Sequence, residues 1–223
     1  MLNFPAIYDF SLLPYALGDV LTWHVKSSIL AAKCGFKKLN IHIVIDPKVP
    51  SCIHQANYIT EANYWSHFMK LQPAFFTNPN LENIKIYHSR AELHDFLKEN
   101  LRGNSSPLLS SYILEYLHTL EHRNDTDKIN HYLNLMVSGH SDINRVATEK
   151  GSIPLLRSPS SIKDELLGML KTKRAFNSFI AVNFRLRAYD ESSGPALLSR
   201  DSDLQAWIEF LRQAAKKHPR LKF

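Results

Sequence analysis

Only two cysteines, Cys34 and Cys52, stand in 223 residues, and they form no paired spacing. That excludes a disulfide framework and fits a reducing compartment such as the cytoplasm. Glycine is also scarce, with seven in the chain. No Gly-x-Gly-x-x-Gly occurs, so the dinucleotide fingerprint is absent, and no Gly-x-Ser-x-Gly elbow is present. No Ser-His-Asp or Cys-His constellation can be assembled from residue order. Met1-Leu2-Asn3-Phe4-Pro5 lacks the basic start and long apolar run of a signal peptide. No stretch of about 18 apolar residues exists, which excludes a membrane-spanning helix. Internal repeats and low-complexity segments are missing too. Two Asn-x-Ser/Thr sequons, at Asn104 and Asn124, matter only in a secreted chain.

What remains is a chain that is 44% hydrophobic and 22% charged. It is long enough for one large domain or two small ones with a real core. The formal charge of +6 favours anionic partners such as nucleotides or phosphosugars. No dense Lys/Arg tract is interleaved with aromatics, so a nucleic-acid binder is not indicated.

The first 46 residues suggest a βαβ unit. Ala6 to Phe10 is a short strand, and the loop from Leu12 enters a helix with Asp19 as N-cap. The helix runs to about Cys34, and Gly35 is a natural left-handed stop. Leu39 to Ile45 gives a second strand, closed by Asp46-Pro47. Units this compact pair in parallel. Further on, Tyr58 to Leu71 suggests a helix, Ile84 to Tyr87 a third strand, and Ala91 to Leu101 a helix. Ser110 to His122 carries a helical apolar stripe. Asn124-Asp125-Thr126-Asp127 reads as a break, and 128 to 150 as helical pieces.

Phe179 to Arg187 is apolar on both faces at first, as a strand buried in a covered parallel sheet should be. Its last alternate positions, Arg185 and Arg187, point to one side. Ligands of open α/β sheets sit beyond the carboxyl ends of strands. Two guanidinium groups there suit a phosphate-bearing ligand; they equally suit pairing with Asp190 or Glu191. Arg200 can join that ligand or bridge to Asp203. Ser202 and Gln205 form a capping box for a final helix whose stripe is Leu204, Trp207, Ile208, Leu211 and Ala215. That cap leaves a helix N-terminus near the phosphate site.

Other candidates are weaker. Gly18, in the loop after the first strand, lets backbone come close to a ligand, and Asp19 is either a helix cap or a general base for an acceptor hydroxyl. Asp125-Thr126-Asp127 matches a metal-binding Asp-x-Asp pattern but follows a helix end, so a turn is expected. His118 and His122 have the i, i+4 spacing of zinc sites, without a third ligand. No metal is expected. His42, on a central strand, is expected to be buried and hydrogen-bonded.

Ile180 to Phe210, with its order of strand, arginines, loop, Ser-Arg-Asp-Ser-Asp and helix, resembles the corresponding region of bacterial fucosyltransferase-like glycosyltransferases of the GT-B type. Tyr8-Asp9-Phe10 with its Pro-Tyr loop, and Ile41-His42-Ile43-Val44-Ile45, look like the first βαβ of that group. Gly151-Ser152-Ile153-Pro154 is similar as well. The resemblance implies an α/β fold of Rossmann-like parallel sheets flanked by helices. An acceptor-side domain would occupy 1–174, and 175–223 would begin an incomplete donor-side domain. It implies metal-independent transfer of a sugar from a nucleotide-sugar donor to a glycan or other hydroxyl acceptor. No cofactor is implied, since the nucleotide sugar is a substrate. Arg185 or Arg187 would contact the donor diphosphate. Two other classes stay open: a catalytically silent fragment whose basic edge binds a phosphate-bearing partner, and a nucleotide-dependent enzyme on a flavodoxin-like sheet.

Overall fold

The computed structural model of the chain describes residues 3–46, 48–49, 51–52, 55, 58–102, 106–158, 160, 163–165, 167–168 and 204–218. The chain divides into two compact units, Met1–Pro159 and Ser160–Phe223. The expected boundary at 174/175 lies outside the described residues, as does the arginine strand.

The first unit is an α/β structure built on a three-stranded parallel sheet. Strands β1 (Phe4–Asp9), β2 (Leu39–Val44) and β3 (Leu81–Tyr87) lie side by side in that order. β1 and β2 pair in parallel from Phe4 opposite Leu39 to Asp9 opposite Val44, and β2 pairs with β3 in the same sense. Every residue of β1 is buried, which explains its unbroken apolar run. β3 alternates only partly and exposes Glu82, Asn83 and Lys85.

Helices pack around this sheet: α1 (Leu17–Lys33), α2 (Tyr64–Leu71) continuing into a 3-10 turn (Gln72–Phe76), α3 (Arg90–Arg102) and α4 (Pro107–Glu121). α5 (Thr126–Leu133) runs into a π-turn (Asn134–Ser138), and α6 (Ser141–Lys150) follows. Tyr8, Trp23 and Phe75 meet edge to face at the centre, with Tyr8 ring centroids 5.1 and 5.3 Å from the other two.

Among the described residues β1 has no strand partner on its outer side, so its backbone groups need another outlet. Side chains supply it. The Ile7 amide donates to the Tyr112 hydroxyl at 2.8 Å, and the Trp23 indole donates to the Ile7 carbonyl at 3.1 Å. α4 and α1 thereby seal the edge.

Several expected boundaries shift. α1 begins at Leu17, because the Val20 amide already bonds the Ala16 carbonyl at 3.1 Å. Ala16 is therefore the N-cap and Asp19 lies in the first turn. Gly35 ends this helix with a φ of +84°, as expected. The expected turn at Asp125–Asp127 is instead a helix start: Asp125 caps α5, its carboxylate accepting from the Asp127 and Lys128 amides. In the second unit the described residues 163–165 and 167–168 are helical, and α7 (Leu204–Lys217) follows later in the chain. Ser202, the expected cap, lies outside the described residues.

Candidate functional site

A cluster of charged groups lies at the carboxyl ends of β1 and β2. β1 ends in Asp9, whose side chain is almost wholly buried. A buried carboxylate is costly unless its oxygens are satisfied. Here five donors reach it. Arg90, at the start of α3, donates through Nε at 2.9 Å and Nη2 at 2.7 Å, the two-pronged grip that guanidinium geometry favours. The Tyr116 hydroxyl donates at 2.9 Å from α4. The Ser11 amide and hydroxyl donate at 2.9 and 2.8 Å. Nη1 of Arg90 turns to Asp46, just past β2, at 3.1 Å. One cation thus ties the ends of β1 and β2 to the start of α3. Burial works against the Arg90 charge, but the Asp9 carboxylate and its hydrogen bonds outweigh that and hold the guanidinium pKa above its usual value.

Two cavities open on this edge. One, of about 270 Å³, lies between the loops after β1 and β2 and the start of α2, with Ser11, Tyr15, Lys48, Thr60, Glu61 and Tyr64 in its wall. Asp46 also faces it. Tyr15 is held rigid there: its ring stacks on Phe10 with centroids 3.9 Å apart, and its amide donates to Gln55 Oε1 at 2.6 Å. Burial pushes the Tyr15 hydroxyl pKa up, helped by Asp9.

The second cavity, of about 490 Å³, is walled by Asp19, Gln55, Tyr58, Asn130, Asn134 and Ser138. Asp19 is half-buried, and burial raises its carboxyl pKa. Asn134 and Ser138 come from the π-turn. Lys26 of α1 fixes that turn by donating from Nζ to the carbonyls of Asn134 and Leu135 at 2.7 and 2.8 Å.

Of the residues singled out in the sequence, Asp19 therefore sits on a cavity wall at the carboxyl edge. Gly18 is next to it, in the first turn of α1 rather than in the preceding loop, with open space around its Cα. Arg185, Arg187, Arg200 and Ser202 lie outside the described residues. His42 is buried and its Nδ1 pairs with the Tyr87 hydroxyl at 2.9 Å, as expected. His118 and His122 are exposed neighbours on α4 and the turn after it, with ring centroids 4.4 Å apart. Among the described residues no group of His, Cys, Asp and Glu is arranged to hold a metal ion.

Sequence reasoning missed Asp9, Arg90 and Tyr116. The available signal was an acid ending an apolar strand, which needs a partner once the strand is buried. The partners stand 81 and 107 positions away, beyond the reach of local patterns.

The class of protein that this architecture defines is an α/β protein with a parallel sheet and its clefts at the strands' carboxyl ends. Compared with protein-family models, with curated proteins and with solved structures, the chain matches none. No helix among the described residues is long and apolar enough to cross a membrane.

Proposed function

We propose that the chain acts as a GT-B-type glycosyltransferase, metal-independent, in which the first unit seats the hydroxyl acceptor. The observation that carries this reading is the Asp19 cavity. It combines a half-buried carboxylate with amide and hydroxyl side chains, the donor and acceptor set that polyols match. Asp19 accepts the proton of an acceptor hydroxyl as its oxygen attacks the anomeric carbon of the donor. The bond from that carbon to the diphosphate oxygen breaks, and a nucleoside diphosphate leaves. Burial, which raises the Asp19 pKa, makes it a stronger base than an exposed aspartate. Arg185 and Arg187, with Arg200, neutralise the charge that grows on the leaving diphosphate. Arg90 is unsuited to that task because two carboxylates already occupy it. A cytoplasmic setting is part of the same reading, and the two free cysteines are compatible with it.

The test is direct. GDP, UDP and ADP are titrated while the melting temperature is followed, and release of each nucleoside diphosphate from its sugar conjugates is measured with added glycans. One nucleotide should raise the melting temperature, and Arg185→Ala or Arg187→Ala should abolish the rise. Asp19→Asn should leave that rise intact and slow transfer by roughly 10²- to 10⁴-fold. A rise without turnover supports a phosphate-binding domain instead. Absence of both removes the transferase reading.

A further inference from the structure

Both cavities flank one hydrogen-bonded bridge. Tyr15 walls the smaller, Gln55 the larger, and the Tyr15 amide bonds Gln55 Oε1 at 2.6 Å between them. A ligand filling both must cross that bridge. Their volumes, about 270 and 490 Å³, are those of two small-molecule compartments rather than one.

The lining has a consistent chemistry. Each compartment carries an aromatic ring beside hydroxyl-matching groups: Tyr64 and the stacked Tyr15 with Thr60 in one, Tyr58 with Asn134 and Ser138 in the other. Aromatic faces suit the C–H face of a pyranose, and amides and hydroxyls suit its rim. Tyr58 is 51% exposed, so its ring is open to a ligand.

The charges add a constraint. Asp19, Asp46 and Glu61 face the cavities, Asp9 lies beneath them, and the balancing cations are Lys48 and Arg90. Among the described residues, these four carboxylates and two cations sum to −2. The field of these residues disfavours an anion in the two compartments.

We infer that the edge binds an uncharged oligosaccharide of at least two rings, one in each compartment, and rejects acidic glycans. This rests on the acceptor role given above and names the acceptor's class.

Neutral gluco-, manno- and N-acetylchito-oligosaccharides of increasing length are titrated calorimetrically against the full chain, with oligogalacturonides as the acidic series. Affinity in one neutral series should rise about tenfold from monosaccharide to disaccharide. Tyr58→Ala, a substitution at an exposed position, should return the disaccharide to the affinity of the monosaccharide. Acidic chains of equal length should bind about tenfold more weakly at low salt, a gap that closes in high salt and with Glu61→Gln. Equal affinity for one and two rings overturns the inference. So does acidic binding as tight as neutral, an unaffected Tyr58→Ala variant, or no binding by any neutral series. Nucleotide titration of the same sample reports on the transferase reading separately. Glycan binding without any nucleotide response leaves this inference standing and removes that one.

Discussion

Asp9 shows how a single buried charge organises this edge. Its carboxylate accepts from Arg90, Tyr116 and Ser11, groups contributed by α3, α4 and the loop after β1. Such a group stabilises the fold only while its partners stay, because removing one strands a charge in the interior. Arg90→Met should therefore cost about 3–5 kcal/mol in urea unfolding. Adding Asp9→Asn should recover part of that loss, since the amide leaves no uncompensated charge. The double variant separates a charge penalty from lost packing. An Arg90→Met cost under about 1 kcal/mol, as for a surface pair, means that the clamp is not structural.

At the scale of elements, the π-turn Asn134–Ser138 is the least common feature, and such turns often mark functional segments. Lys26 holds its carbonyls, and the Gly139 amide closes it by donating to the Asn134 carbonyl at 2.9 Å. A Cβ on Gly139 would lie 2.6 Å from that same backbone oxygen, so alanine forces the turn to move. Gly139→Ala should lower stability by about 1–3 kcal/mol, read from the urea midpoint. An unchanged midpoint means that the turn yields freely. The π-turn has no local sequence signal: residues 128 to 150 carry only the pattern of helical pieces. β1 and β2 were legible because burial on both faces makes a continuous apolar run. The end of α1 was legible because Gly35 alone supplies the positive φ there. β3 read short, since Glu82 and Asn83 interrupt its periodicity at the exposed edge. Aspartate is a good helix cap, yet Ala16, which makes no side-chain cap bond, takes that place and Asp19 falls in the first turn. Of the candidate site, Asp19 could be named from sequence, whereas the Asp9–Arg90 pairing depends on tertiary contact.

At the scale of the whole molecule, two buried histidines set how the first unit responds to acid. His24 on α1 packs against Trp23 and Phe75, with ring centroids 4.9 and 5.9 Å away. Burial lowers its pKa to about 4, and the nearby Ala74 carbonyl offsets this only in part. His42 on β2 is likewise lowered to about 4, by burial and then by the Lys85 charge. Both lie below the ordinary histidine value of 6.5. As pH falls through that value the unfolded chain takes up protons that the folded chain refuses, so stability drops until about pH 4 and then levels off. At about 1.4 kcal/mol per pKa unit, each histidine contributes roughly 3 kcal/mol at most across the window. Asp19 acts in the opposite direction: its raised pKa means that the folded chain takes its proton first, which offsets part of the loss. The two histidines sit on different elements with different neighbours, so their effects should add. Urea midpoints should fall steadily between about pH 7 and 4. His24→Gln should reduce that slope by about half, whatever it does to stability at neutral pH. A midpoint as high at about pH 4.5 as at neutral pH, together with a His24→Gln variant whose pH slope matches the parent's, contradicts the His24 assignment.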